Sequence, residues 1–194
     1  LLVTTALLTK KKLFTFSALF WIVLYQAIAF HQQHRAETIM SEYADIHYKD
    51  VQNIVAKPSF GNIIVWKVIH TTIDEYHINA VRLGIDTKII PGETIKKLNI
   101  KNDLKWLDMK SQQGKDLERF RWFSNNYLSI DKNNQNIVYD VRFSSLPNQV
   151  QGLWGIKLDE NKSYKQHVEY VTNRNHNLDR FIKLKDMIFD NYEN

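Results

Sequence analysis

Cysteine is absent from all 194 residues, which excludes a disulfide scaffold, a thiolate zinc site and a cysteine nucleophile. No Gly-rich phosphate loop, no Gly-x-Ser-x-Gly elbow and no His-Glu-x-x-His occurs, so the short signatures of nucleotide binding, serine hydrolysis and zinc proteolysis are missing. The chain has no internal repeat and no low-complexity tract. It also lacks a strong charge imbalance where one would matter. Of 26 Lys and Arg residues, three belong to the run Lys10-Lys11-Lys12, and residues 31–194 carry 23 basic against 21 acidic side chains. Nucleic-acid binding needs a concentrated basic face, and this balance argues against it.

What the chain does have is an uncharged apolar run, Leu13 to Phe30. Eighteen residues of helix span roughly 27 Å, close to the ~30 Å hydrocarbon core of a bilayer. The three lysines before it predict a cytoplasmic N-terminal flank, and hence an extracytoplasmic location for everything after Phe30. A cleaved signal peptide is the main rival, because Ala27-Ile28-Ala29 resembles a small-x-small cleavage site and cleavage there would release a secreted domain. An apolar centre of that kind is shorter, about 7–15 residues. A buried core helix rarely runs so far without a charge on any face. A transmembrane helix over 13–30 is therefore the expectation. Residues 1–8 read as the tail of an earlier membrane helix with Thr9 to Lys12 as a cytoplasmic turn, which makes the sequence the C-terminal part of a multi-pass protein.

Beyond the run, residues 31–56 have helical spacing, with Ala36, Ile39, Met40, Tyr43, Ile46, Val51, Ile54 and Val55 on one face, and predict an amphipathic stalk ending before Pro58. Residues 57–194 are long enough for one domain with its own core. Asn62 to Thr72 and Tyr76 to Leu83 predict a hairpin, as do Tyr127 to Asp131 and Ile137 to Ser144 around a polar loop. On the latter strand, Ile137, Tyr139, Val141 and Phe143 share one face, and Asp140 and Arg142 the other. Leu153 to Leu158 and Tyr164 to Val171 read as two more strands. Short helices are expected over Asn102 to Met109, capped by Asn102 or Asp103, and over Lys115 to Asn125. A last amphipathic helix places Leu178, Phe181, Ile182, Lys185 and Ile188 on its apolar face. The fold class is α+β: a transmembrane helix and stalk, then a mostly antiparallel sheet of about six strands with helices on one face.

Two groups of residues are candidates for chemistry. His31 and His34, with Glu37, recur at helical spacing just past the apolar run, and two histidines one turn apart can share a metal. The alternative is polar side chains keeping their heads wet where a membrane helix emerges. His70, His77, His167 and His176 are scattered and read as strand-surface or loop residues. The second group is Arg119-Phe120-Arg121-Trp122-Phe123-Ser124 together with Asp140-Val141-Arg142-Phe143, where Arg121, Trp122, Asp140 and Arg142 set charge beside large aromatics as an anion pocket or stacking platform would. Interleaved aromatics are more often packing. On that reading Arg121 and Arg142 pair with Asp140 and its neighbours, while the rings, Trp122 and Trp154 included, fill the core.

The segments Lys57-Pro-Ser-Phe-Gly-Asn-Ile-Ile-Val-Trp66, Arg121-Trp-Phe-Ser124, Tyr139-Asp-Val-Arg-Phe143 and Gly152-Leu-Trp-Gly155, following an apolar span and stalk, resemble the C-terminal region of the bacterial membrane-bound metal-dependent hydrolases. The resemblance covers roughly residues 13–158, anchored on Trp66, Trp122-Phe123, Asp140/Arg142 and Trp154. It implies a multi-pass protein of the inner (plasma) membrane, with a divalent metal held by His and Asp residues of the N-terminal membrane half, which this sequence does not contain. No metal ligand carries over, and no cofactor is evident in the present chain. The resemblance makes the expected function that of an extracytoplasmic lid or recognition domain over a membrane-level site, with the lipid bilayer as partner and a lipid or envelope component as substrate. The alternative is a non-catalytic, membrane-tethered binding or envelope-assembly domain.

Overall fold

In the computed structural model, which describes Thr4, residues 12–173 and residues 178–189, one helix dominates the N-terminal part. Helix α1 runs unbroken from Lys12 to His47, a rod of about 54 Å. Through residue 30 its apolar side chains lie exposed, save the buried Ala18 and a few half-covered neighbours. Among the described residues α1 is the one helix long and apolar enough to cross a membrane, and the rest of the chain covers almost none of that stretch. From Ala36 onward the same helix becomes a packing element. Ala36, Met40 and Ala44 form a buried stripe at four-residue spacing. The small alanines bring its backbone close to a sheet, where Ala36 and Met40 meet Ala56, Trp66, Val68, Val81 and Leu83.

The stalk is shorter than the sequence spacing predicts. Helix α1 ends at His47, Asp50 takes a left-handed turn (φ 56°), and Asn53–Pro58 is strand β1 rather than the last turns of a helix. Ile54 and Val55 fit either period, and pairing with the edge of β2 decides for strand.

Strands β1, β2 (Val65–Thr71), β3 (Glu75–Leu83) and β4 (Thr87–Ile90) follow one another across an antiparallel sheet, sheet A. Strand β5 (Thr94–Lys96) pairs with the opposite end of β3. Sheet B, also antiparallel, has the order β6 (Leu128–Ile130), β7 (Ile137–Asp140), β8 (Trp154–Lys157) and β9 (Glu169–Thr172). The architecture is α+β and antiparallel as read from sequence, with nine strands among the described residues divided between two sheets instead of about six in one. The hairpins β2–β3 and β6–β7 form as expected, although β7 stops at Asp140 short of Ser144; β8 and β9 also pair, but β9 starts at Glu169 rather than Tyr164.

Helix α2 is a single turn, Ile100–Asp103, capped by Asn99 rather than extending to Met109. Helix α3 (Gln112–Phe123) starts three residues earlier than predicted because Ser111 caps it, its Oγ accepting from the Gly114 N–H. It buries Leu117 and Phe120 against Leu128, Val138, Ile156 and Leu158 of sheet B. Helix α4 (Leu178–Phe189) turns Leu184 and Met187 inward, Met187 packing on Val65, Ala80 and Ile90. Leu178, Phe181 and Ile182, placed on the packing face by the sequence reading, are exposed. Apolar residues occupy more than one stripe of this helix, and only the neighbouring sheet selects between them.

The two sheets join through Ile69, Tyr76, Ile78, Val141 and Val150, and through the Leu98 N–H donating to the Leu128 carbonyl at 2.9 Å. The proposed membrane tail over residues 1–8 lies outside the described residues apart from Thr4.

The close helix-to-sheet contact makes Ala36 intolerant of bulk. Ala36→Leu is expected to destabilise the domain by about 1–3 kcal/mol, whereas Ala27→Leu, on the exposed part of the same helix, leaves thermal unfolding in detergent unchanged.

Candidate functional site

Asp140 ends β7 with its side chain completely buried. A carboxylate taken out of water needs its lone pairs filled, and here Arg142, two residues on, supplies most of the donors. The Arg142 backbone N–H donates to Oδ1 at 3.0 Å. The Arg142 guanidinium approaches side-on, Nε to Oδ1 at 2.9 Å and Nη2 to Oδ2 at 2.7 Å, a bidentate pair. Trp154 Nε1 donates to Oδ2 at 3.3 Å. Arg142 Nη2 also donates to the Phe123 carbonyl at the end of α3, 2.9 Å away. Phe143 packs against Trp154 in a tilted arrangement with ring centroids 5.1 Å apart, and Lys57 Nζ lies 5.4 Å over the Phe143 ring. Burial and the Arg142 charge hold the Lys57 ammonium below its usual range, against the pull of Asp140 and Glu37.

Three of the four segments quoted for the resemblance therefore meet at one buried ion pair, and the fourth reaches its flank, where Lys57 lies over the Phe143 ring. The glycines of Gly152-Leu-Trp-Gly155 have a steric reason: a Cβ at Gly152 would run into the Asp140 carbonyl, and one at Gly155 into the Val138 carbonyl.

Arg121 does not join this cluster. It pairs with Glu118 one turn back on α3. Trp122 is not a core residue either, being 82 % exposed, with Phe123 beside it also exposed. Helix α3 turns Leu117 and Phe120 inward, and Trp122, five residues from Leu117, falls well round the helix from that face. Trp154 is half-buried.

The histidines fare differently. His31 and His34 are both exposed on α1. Glu37, grouped with them by helical spacing, is engaged elsewhere, since its Oε1 accepts from the Ala56 N–H at 3.1 Å and pins α1 to β1. Among the described residues no group of three His, Asp or Glu side chains is placed to hold a metal. His70, read as a surface residue, is fully buried, with Nε2 at 3.0 Å from the Met40 carbonyl, and burial lowers its pKa. His77 stacks on Tyr48, ring centroids 4.2 Å apart. His167 Nδ1 lies 2.8 Å from Asp116 Oδ2 and ties α3 to the segment before β9. Burial would push the Asp116 carboxyl up, but hydrogen bonds from Gln112, His167 and the Val168 N–H outweigh it and hold it down. His176 lies outside the described residues.

Sequence reading missed Lys67. It sits in β2 between Trp66 and Val68, only 3 % exposed. Its Nζ donates to Ser144 Oγ at 2.7 Å and to the Gln149 carbonyl at 2.8 Å. Burial drives its pKa down to about 7, with Asp140 and Glu93 opposing. A Ser–Lys pair can serve as nucleophile and base. Here the Ser144 hydroxyl is spent on the Leu146 carbonyl at 2.6 Å, and neither residue opens onto the adjoining 340 Å³ cleft, whose wall includes Glu93, Tyr139, Val150 and Arg180. The pair clamps β2 to the segment leaving β7. The available signal was one lysine inside the otherwise apolar run Ile63 to Ile69. Comparison with protein-family models, curated proteins and solved structures finds no match to this chain.

Two outcomes follow. Asp140→Ala strands the Arg142 guanidinium and is expected to cost about 3–5 kcal/mol, while Trp122→Ala leaves stability within about 0.5 kcal/mol of the parent; chemical denaturation reads both. For Lys67, the unfolded chain holds a proton up to about pH 10.4 and the folded chain only up to about pH 7. The folded state therefore gains stability as pH rises through that window. The parent's stability relative to Lys67→Met should rise by about 2 kcal/mol between about pH 7 and pH 9.

Proposed function

We propose that the chain is a membrane-tethered recognition domain, standing on the extracytoplasmic side of a bacterial plasma membrane and non-catalytic by itself. One observation carries this reading: Trp122 and Phe123 present two large aromatic side chains to solvent at a helix end whose Phe123 carbonyl accepts from the Arg142 guanidinium, itself paired with the buried Asp140. Exposed aromatics on a rigid base are the residues that dominate binding energy at protein interfaces, and a fixed rotor-poor platform lowers the ordering cost of association. The continuous α1 supports the tether, since a helix that leaves the apolar stretch and packs directly on sheet A positions the platform without a flexible linker. The partner is a component of the cell envelope.

A second reading comes from the resemblance. In it, this domain covers a metal-dependent hydrolase site built by upstream membrane segments, with a divalent metal there and a lipid or envelope substrate. What favours it is the convergence of three of the resembling segments on Asp140 and Arg142, with Lys57 of the fourth over the adjoining Phe143 ring.

The absence of cysteine makes the test free of background. Single variants Gln135→Cys and Arg119→Cys are treated with a membrane-impermeant maleimide in intact cells and after purification. Gln135→Cys is expected to label in intact cells, and Arg119→Cys, exposed one turn before Trp122 on the same helix, to label only once purified, because the partner seated on the intact Trp122–Phe123 platform shields it. Labelling of Gln135→Cys that requires permeabilised cells would overturn the topology. Equal labelling of both in cells would overturn the recognition surface. Metal-dependent hydrolysis by the purified chain, lost in His31→Ala/His34→Ala, would move an active site into this sequence.

A further inference from the structure

The end of sheet A nearest the apolar stretch of α1 is built unlike a water-facing edge. Across that end the Ser59 N–H donates to the Val65 carbonyl, Val65 lies opposite Arg82, and Arg82 lies opposite Lys88, so these four residues form one row. Two loops project past the row, residues 59–64 and residues 84–86. Helix α4 arrives at the same level, where Arg82 Nε donates to the Ile188 carbonyl at 3.1 Å. The residues beyond the row include Phe60, 89 % exposed, Ile85, fully exposed, and Phe189, 64 % exposed. Large apolar side chains on three separate tips, all at one end, are a poor design for water.

Helix α1 sets the height of this end. Gln32 Nε2 donates to the Leu83 carbonyl at 3.1 Å, and Arg35 Nη2 to Thr87 Oγ1 at 3.2 Å. At the other end of β3, the Tyr48 ring stacks on His77. From Leu83 back to His77 the strand covers about 20 Å, and from Gln32 to His47 the helix covers about 22 Å. Strand β3 thus lies alongside α1 and antiparallel to it, and the strands of sheet A stand along the helix axis. Gln32 is two residues, about 3 Å, past Phe30, the last residue of the apolar run. The turn 84–86 starts at that height and points back down the helix. Its tip is level with the boundary between hydrocarbon and headgroups.

We propose that this end is a lipid-contacting face, with Phe60, Ile85 and Phe189 seated in the outer leaflet of the bilayer that α1 crosses. Aromatic and aliphatic tips at the interface bury apolar area there, and aromatic rings favour that depth. Together with α1 they give the domain several points of support, which fixes its tilt over the membrane. The inference rests on the membrane-spanning half of the proposed function and is independent of the Trp122 platform.

The test uses the full chain in lipid nanodiscs with single cysteines carrying the fluorophore NBD, at Phe60→Cys, Ile85→Cys, Ile73→Cys and Val23→Cys. Ile73 is a matched control, an exposed apolar residue (62 %) on the β2–β3 turn at the far end of the same sheet. Val23 lies mid-way along the apolar run. Lipids bearing a nitroxide near the headgroup are expected to reduce NBD emission about twofold at positions 60 and 85, and to leave position 73 unchanged. A nitroxide deep in the acyl chain should quench position 23. If position 23 is quenched while 60 and 85 match 73, the helix spans but the face stands clear of lipid, and the proposal fails alone. If position 23 is unquenched, the spanning helix itself is wrong. Blue-shifted emission at 60 and 85 without quenching would assign the face to a protein partner or a second copy, and also overturn the proposal.

Discussion

The carboxylate of Asp140 is the constraint around which the domain is assembled. A buried charge with any lone pair unfilled would cost several kcal/mol, so the chain must deliver Arg142 side-on, the Trp154 indole N–H and the Arg142 backbone N–H to one point. Delivering them dictates the rest. The strand must turn immediately after Asp140, Gly152 and Gly155 must leave room for β7 to pass, and α3 must end where its Phe123 carbonyl can accept from Arg142. Lys67, a second buried charge, faces the same segment from sheet A and is matched by Ser144 and Gln149. Two polar contacts thus lock together sheets that share only a modest apolar seam through Ile69, Tyr76, Ile78, Val141 and Val150.

Helix α1 is the other organiser, and its two halves obey different rules. The first half exposes apolar side chains all round, over a stretch long and apolar enough to cross a membrane. The second half buries one narrow stripe of small and flexible residues, Ala36, Met40 and Ala44, against a sheet. No break separates the two. A helix is stiff over this length, so whatever holds the first half also orients the sheets, the Trp122–Phe123 platform and the loop tips at Phe60 and Ile85.

Much of the architecture was legible because hairpins announce themselves locally. An Ile-, Val- and Trp-rich run before Ile73-Asp74-Glu75 with a second apolar segment after it, and apolar alternation after the polar loop from Lys132 to Asn136, leave little choice of pairing. The segment from Val51 to Val55 was misread because its spacing fits a helix as well as a strand, and the deciding contact, the free edge of β2, is remote in sequence. Of the two readings of Trp122, core packing fails and exposure does not; in sequence, an aromatic beside Arg and Phe fits packing and display equally well. Its helical angle relative to Leu117 and Phe120 matters only once those two are known to face sheet B. Glu37 shows the same limit: its spacing from His31 and His34 is right for a shared ligand, yet its carboxylate is taken by a backbone N–H of β1.

Composition and local order by themselves settled the α+β class, the exclusion of thiol chemistry, the uncharged helix long enough for a bilayer and the proximity of Asp140 to Arg142, two residues apart. These properties depend on neighbours in the chain, where period, length and side-chain type suffice. Tertiary structure alone decided that the strands divide into two sheets, that Lys67 and His70 are buried, that Trp122 faces solvent, and that Phe60, Ile85 and Phe189 share one end of the molecule. Each of these turns on which distant segment covers a side chain, and burial is a property of contacts between segments rather than of the segment itself.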